Sequence, residues 1–389
     1  MRKIAIIGCG QTKHTRARDD VNEAELNYEA VELALVDAGI NPNDISAVIY
    51  GSAITSVQEG IENLGKLVLD SVGGYLKPHF RVQTGGTVGM SAVISAFYLV
   101  LSGEFDVVLA SAGILRAGAS GAVAQKALSL AAEPIYRRGF SGGAVLGLAM
   151  TFKEYISRYS ITEEQAARCV VIARDNASKN PYAHLRDKVT VEDVMNSKPL
   201  APPLKLLDMC PTSIGSGAVI VASEDFAKKL NKKDFAYVKG FASYSEPAMY
   251  PDRDILEGLC VRKSAEKAYK MAGITNPKKE IDVVELYNAA SYQTMHWAEC
   301  LYLCEKGEGG KLVDSGATEL TGNIPINPSG GVLCTNNGSD AAMLRVIECA
   351  LQVRGKAEQR QVEGAKTAVA MGWGGAQQFA GVVVLGSDA

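Results

Sequence analysis

The sequence predicts an α/β protein built from two halves of the same topology, on three observations. Continuous apolar runs such as Ile4-Ala5-Ile6-Ile7 and Val107-Val108-Leu109-Ala110 alternate with helix-periodic stretches, the pattern of a mixed or mainly parallel sheet covered on both faces. The triplet Ala-Gly-Ile closes a helical stretch twice, starting at Ala38 and at Ala272, 234 positions apart. In each half a Gly-Gly pair then opens an apolar helix that ends in a glycine turn and a further strand. A repeat of that length is a duplicated domain.

Taken in order, a strand over residues 3–7 meets Gly8-Cys9-Gly10, which is expected to turn the chain into a helix over 22–37. Ala38-Gly39-Ile40-Asn41-Pro42 stops that helix and feeds the β-branched run Ala47-Val48-Ile49-Tyr50. Arg81-Val82-Gln83 is a short β-prone run before Thr84-Gly85-Gly86, which opens a helix ending at Leu101, and a strand follows at 106–110. In the second half a helix ending at Met271 and the second Ala-Gly-Ile precede a strand at 281–287. Gly330-Gly331 precedes a helix over 341–353, and a strand follows at 366–371. The halves are expected to meet near residues 225–235, giving units of 1–230 and 231–389.

Composition narrows the class. A formal net charge of −3 with scattered Lys and Arg leaves no electrostatic footprint for nucleic acid. No segment approaches the roughly 18 apolar residues of a membrane span, and the first apolar run is too short for a signal peptide, so no membrane association and a cytoplasmic location are expected. The eight cysteines show no paired short spacing and read as free thiols. Cys300 and Cys304 stand one helical turn apart, but no further ligand completes a metal site, so no metal is expected in this chain.

The stretch Asn327-Pro328-Ser329-Gly330-Gly331 carries the strongest chemical signal. Its glycines permit close backbone approach, and Ser339 and Asp340 can cap the helix that follows, so a polar pocket at a helix start is implied. The stretch, its place before the last long helix, and the passage Asp208-Met209-Cys210 leading to Gly217-Ala218 resemble the thiolases, in particular the branch of sterol carrier protein 2 and lipid-transfer proteins. Ser216 stands where that family has Asp. The resemblance covers nearly the whole chain and implies a layered αβαβα core of two packed sheets with a loop domain inserted at about 113–205. It also implies coenzyme A as cosubstrate, with no cofactor bound in the chain. In the family the loop domain covers the pantetheine arm, and Arg137-Arg138 there is a candidate for the phosphates.

The usual thiolase side chains are replaced. The nucleophilic cysteine's place holds Gly86, within Gly85-Gly86-Thr87-Val88-Gly89. The Gly-His-Pro of the family falls on Asn336-Asn337-Gly338, and Asn can donate to an oxyanion but cannot take a proton. The late cysteine falls on Met371 or Gly372, ahead of Gly374-Gly375, and the Asn-Glu-Ala-Phe segment becomes Tyr287-Asn288-Ala289-Ala290.

The residues in reach of the pocket are therefore Cys334 as a relocated nucleophile, Tyr287 as a donor or proton acceptor, and Asn337 as an oxyanion donor. Asn288 and His296 stand beside them. Cys334 is expected to have a lowered pKa from the following helix start. Thr84, Gly85, Gly86, Gly330, Gly331, Asn336, Gly374 and Gly375 are expected to hold substrate and coenzyme A. His14, His79 and His184 have no partner that sequence identifies.

The activity expected is carbon–carbon bond cleavage or formation on an unusual, bulky 3-oxoacyl-CoA, a thiolase-like acyl transfer. Retro-aldol cleavage of a 3-hydroxyacyl-CoA and a noncatalytic acyl-CoA-binding scaffold are the alternatives. The resemblance further implies a homodimer core joined through the strand before Thr84, and a small zinc-ribbon/OB-fold partner subunit.

Overall fold

The computed structural model describes residues 2–53, 64–115, 143–230, 232, 234–248, 252–375 and 377–388. Arg137-Arg138 lies outside the described residues. A nine-stranded mixed sheet runs through the molecule. Its strands are β1 (Ile4–Gln11), β2 (Ala47–Gly51), β3 (His79–Val82), β4 (Val107–Ile114), β7 (Gly215–Ser223), β8 (Ala236–Ser245), β9 (Val283–Glu285), β10 (Thr367–Gly374) and β11 (Phe379–Gly386). A separate ribbon pairs β5 (Pro199–Ala201) with β6 (Leu204–Lys205).

The strand order, β3-β2-β4-β7-β1-β8-β11-β10-β9, displays the duplication. Going outward from the β1–β8 contact, β7 and β11 are antiparallel to both of their neighbours, and β4 and β10 then pair in parallel with β2 and β9. β2 continues in parallel to β3, and β9 to the bridge between Val284 and Ile326. The run at 283–286 therefore holds the position in its half that 47–50 holds in the first, as the sequence repeat requires. Both Ala-Gly-Ile glycines are left-handed helix caps, Gly39 at φ 72° and Gly273 at φ 75°.

Two like helices, Val88–Leu101 and Ala341–Val353, pack against each other between the half-sheets. Gly89 makes the approach possible, because a Cβ there would lie 2.8 Å from Ser339 O and 2.9 Å from Met343 N. Helix Glu23–Ala38 covers the outer face of the first half and helix Leu259–Ala272 that of the second, completing the five layers. The inserted segment contributes helices Gly143–Tyr159 and Glu163–Ser178, whose Phe152 stacks on Tyr292 at 4.8 Å between ring centroids. Among the described residues no helix is long and apolar enough to cross a membrane.

One local expectation fails. Gly8-Cys9-Gly10 is the second half of β1, with a bulge between Ile6 and Gly8, and not a turn. The two glycines let the strand run directly under helix Glu23–Ala38: a Cβ at Gly8 would sit 2.3 Å from Ala34 O, and one at Gly10 2.1 Å from Ala30 O. Gly10→Ala is accordingly expected to force strand and helix apart and to cost at least about 1–3 kcal/mol, read as a lower thermal midpoint in circular dichroism.

Candidate active site

The candidate site lies where the loop before helix Val88–Leu101 meets the end of β10. A Cβ at Gly85 would lie 2.8 Å from Gly375 N, and one at Gly374 would lie 2.5 Å from Thr87 N and 2.6 Å from Gly86 N. Backbone rests on backbone here. Gly85 and Gly375 hold positive φ, and Thr84 braces the turn through a 2.8 Å hydrogen bond between its Oγ1 and Ser91 Oγ. At Gly86 a Cβ would come within 2.9 Å of Tyr287 Oη and 3.0 Å of Trp373 O. The phenol of Tyr287 therefore stands against the place from which a side chain at position 86 would project.

The opposite wall is the stretch from Asn327 to Asp340. The carboxylate of Glu285, at the end of β9, accepts from Ser329 N at 2.9 Å and Ser329 Oγ at 2.8 Å, and it pairs with Arg345. Burial raises the Glu285 pKa and the guanidinium opposes that rise. Asn327, at φ 51°, accepts Leu286 N through Oδ1 at 2.7 Å. Asn288 takes Val332 N at 2.9 Å on its Oδ1 and gives its Nδ2 to Thr294 Oγ1 at 3.0 Å. The amide of Asn288 is thus spent on holding the loop. The close approaches made by Gly330 and Gly331 are likewise internal: their Cβ atoms would strike Ala177 at 2.6 Å and the Asn327 amide at 2.3 Å.

Three expectations about individual side chains change with this geometry. Cys334 ends a one-turn helix, Gly331–Cys334, and packs with Val170, Ala173 and Ala177 of the inserted segment at 0% exposure. Burial pushes its thiol up to about 12, the reverse of the lowered value expected, because the next helix begins only at Ala341. Asn337 is buried and holds the approach to that helix, accepting Ser339 N and Asp340 N at 2.8 Å each while donating to Gly215 O at 2.7 Å; Asp340 occupies the N-cap position but its side chain makes no cap hydrogen bond. His296 donates Nε2–H to Leu256 O at 3.0 Å and stacks on Trp297 at 4.4 Å, a core position. Burial holds its pKa down at about 4.

The side chain that meets Tyr287 is Asn336. Its Oδ1 accepts Tyr287 O–H at 3.3 Å and Gly338 N at 3.2 Å, and its Nδ2 donates to Cys210 Sγ at 3.1 Å. Asn336 is fixed in place by Ser213, whose N–H donates to Asn336 O at 2.7 Å and whose hydroxyl accepts Asn336 N–H at 3.1 Å, and His184 Nδ1 lies 2.9 Å from the same hydroxyl. Burial raises the Tyr287 pKa, so its phenol stays protonated near neutral pH and acts as a donor. Tyr287, Asn336 and Cys210 come from three separate segments, and Cys210 and Ser213 carried no local sequence signal linking them to Asn336, 123 or more positions away.

His14 does have a partner, Asp340 Oδ2 at 2.7 Å, and its other ring nitrogen lies 3.0 Å from Thr12 O. Among the described residues no group of His, Cys, Asp and Glu is arranged to hold a metal ion.

Comparison with known proteins gives a consistent family. Residues 4–225 match the N-terminal thiolase domain and residues 242–387 a thiolase C-terminal domain-like family. The acetyl-CoA acetyltransferase of Methanothermobacter thermautotrophicus is 34% identical over 377 residues, 96% of this chain and 97% of that one. The benzoylsuccinyl-CoA thiolase subunit BbsB of Thauera aromatica is 30% identical over 93% of this chain and 92% of its own length. Sterol carrier protein 2 of Gallus gallus is 28% identical over 96% of this chain and 70% of its own length. Among solved structures, the Ltp2-ChsH2(DUF35) aldolase superposes with a TM-score of 0.84 at 26% identity, covering 99% of this chain and 97% of that one.

The buried, neutral His296 has a consequence for acid stability. An unfolded histidine takes a proton near pH 6.5, whereas His296 in the fold does so only near pH 4, so its contribution is complete above pH 6.5 and is lost as pH falls toward 4. Urea unfolding at pH 7 and at pH 4 is expected to show a stability loss about 3 kcal/mol smaller in His296→Gln than in the parent chain.

Proposed function

Since the chain belongs to the thiolase family, in the branch of sterol carrier protein 2, we propose that it makes or breaks a carbon–carbon bond beside a coenzyme A thioester by aldol-type chemistry. The observation that carries this reading is the contact between Gly86 and Tyr287. Position 86 offers no thiol, and a Cβ there would already press on the phenol at 2.9 Å, so the space that serves a covalent nucleophile serves a hydrogen-bond donor instead. In cleavage of a 3-hydroxyacyl-CoA the hydroxyl proton leaves, the bond between C2 and C3 breaks, and the electron pair stays on the thioester fragment as an enolate. A protonated phenol is suited to that developing oxyanion, and Asn336 orients it through its Oδ1. Similarity to the Ltp2-ChsH2(DUF35) aldolase supports the same reaction class.

A second reading is thiolysis of a 3-oxoacyl-CoA with coenzyme A itself as the attacking thiol, favoured by the 34% identity to an acetyltransferase. Cys334, buried behind the loop, is not assigned the nucleophile's role in either reading. Gly374, Gly375 and Thr84 remain the proposed lining for the thioester arm.

We also assign the chain to an assembly. Among the described residues strand β3 is paired on one side only, and Phe80 on it and Tyr98 on the adjacent helix are 51% and 60% exposed, which suits a twofold dimer through that edge. Relatives described as a thiolase subunit and as a complex with a DUF35 protein support a small second subunit, expected to be of the zinc-ribbon/OB-fold type.

Tyr287→Phe is expected to lower turnover by roughly 10²–10³-fold on a responsive 3-hydroxyacyl-CoA, and intact-protein mass spectrometry of quenched reactions to show no acyl adduct. An adduct, or a silent Tyr287→Phe, contradicts the aldol reading; an inert wild-type assembly points to a noncatalytic scaffold. Light scattering of the purified chain is expected to give a dimer, and Phe80→Glu a monomer.

A further inference from the structure

We infer that the thiol of Cys210 exchanges the proton at the α-carbon of the acyl-CoA, an assignment that rests on the carbon–carbon reading above. Cys210 sits in the Cys-Pro-Thr-Ser segment that leads into β7. Its backbone N–H bonds to Ala289 O at 3.0 Å, which pins it beside the segment that carries Tyr287. Its Sγ accepts Asn336 Nδ2 at 3.1 Å, and the same amide accepts the Tyr287 hydroxyl at 3.3 Å. Phenol and thiol therefore flank one amide, at the wall facing Gly86.

Of the eight cysteines six are buried, and only Cys210 and Cys304 are partly exposed. Cys304 lies beyond the C-terminal end of the helix Gln293–Cys300, away from this amide. Of the two partly exposed cysteines, Cys210 is the one that touches the Tyr287–Asn336 pair, whereas Cys334 is sealed in the core.

The reaction needs such a group. When the bond between C2 and C3 breaks, the enolate has two sites to satisfy: its oxygen needs a donor and its carbon needs a proton. Tyr287 is suited to the oxygen. Asn336 has no acidic proton, and among the described residues Cys210 Sγ donates to no protein acceptor, so its S–H proton is open to the substrate.

Transfer of that proton to C2 leaves a thiolate, which the existing Asn336 N–H bond stabilises. The 3-hydroxyl proton passes to water as the bond breaks, and a proton from water then restores the thiol, so one proton leaves and one returns in each cycle and it balances. Read backwards, the thiolate removes the α-proton of an acyl-CoA to make the nucleophilic enolate. The starting state is consistent with this role: burial raises the Cys210 pKa to about 11 against the opposing Asn336 hydrogen bond, so the proton is on sulfur at neutral pH.

The test is deuterium wash-in. The full-length protein is incubated with acetyl-CoA or propionyl-CoA in D2O and the α-position is followed by NMR, alongside cleavage turnover and acyl-CoA affinity. Cys210→Ala is expected to lose exchange and turnover by about 100-fold or more while keeping its affinity, with Cys210→Ser intermediate and Cys304→Ser at the wild-type rate.

Thermal melts of each variant separate loss of chemistry from loss of fold, and Cys210→Ser, nearly isosteric, carries the test if the alanine variant does not fold. Wild-type exchange in Cys210→Ala and Cys210→Ser, or no exchange in a wild-type enzyme that binds the probe, overturns the assignment. If these variants keep turnover while Tyr287→Phe loses it, Cys210 fails and the carbon–carbon reading stands; if the wild type cleaves no 3-hydroxyacyl-CoA, both fail.

Discussion

The buried carboxylate of Glu285 is the point on which the candidate site depends. It lies at 0% exposure at the end of β9, and it is satisfied by Ser329 through two hydrogen bonds and by Arg345 from the helix Ala341–Val353. One carboxylate thereby joins a strand end, a turn and a helix. Removing a partner from such a buried pair leaves an uncompensated charge at a cost of about 3–5 kcal/mol, so the three elements are held in one arrangement. Asn327 and Asn288 extend the same hold along the loop by capturing Leu286, Val332 and Leu333 backbone groups. Only after this anchoring does the chain reach Asn336 and present its amide to Tyr287 and Cys210.

The opposite wall is made rigid by a different device, the absence of side chains. Gly85, Gly86, Gly374 and Gly375 allow two backbones to touch, and each would clash at under 3.0 Å with any Cβ added. The same close packing that forms the wall leaves position 86 without a nucleophile. The polar side chains that face this wall are neutral ones, because burial keeps Tyr287 and Cys210 protonated. Neutral groups of this kind are suited to donating hydrogen bonds and exchanging protons.

Burial is also what separates the cysteines. Cys334 and Cys210 both lie near the loop, but Cys334 points into the packing between Gly331–Cys334 and the helix Glu163–Ser178, whereas Cys210 is partly exposed and bonded to Asn336. Likewise Asn337 and Asn336 are adjacent in sequence yet differ in what they hold, one bracing the turn that enters a helix and the other facing the phenol. Successive residues on a turn point in different directions, and one step of chain is enough to exchange a structural role for a pocket role.

The sequence by itself determined the duplicated topology, because buried strands need continuous apolar runs, helices need periodic ones, and both helix ends need a glycine with positive φ at Gly39 and Gly273. It also marked Gly86 as lacking a nucleophile and singled out Tyr287 by its place in a motif, and the structure sets the two against each other. What only the tertiary structure decided was direction and distance: that Gly8 and Gly10 continue a strand beneath a helix, that Cys334 is sealed in the core, and that Cys210 stands 3.1 Å from an amide 126 positions away. These depend on how segments far apart in the chain pack together, and no local pattern of residues encodes that proximity.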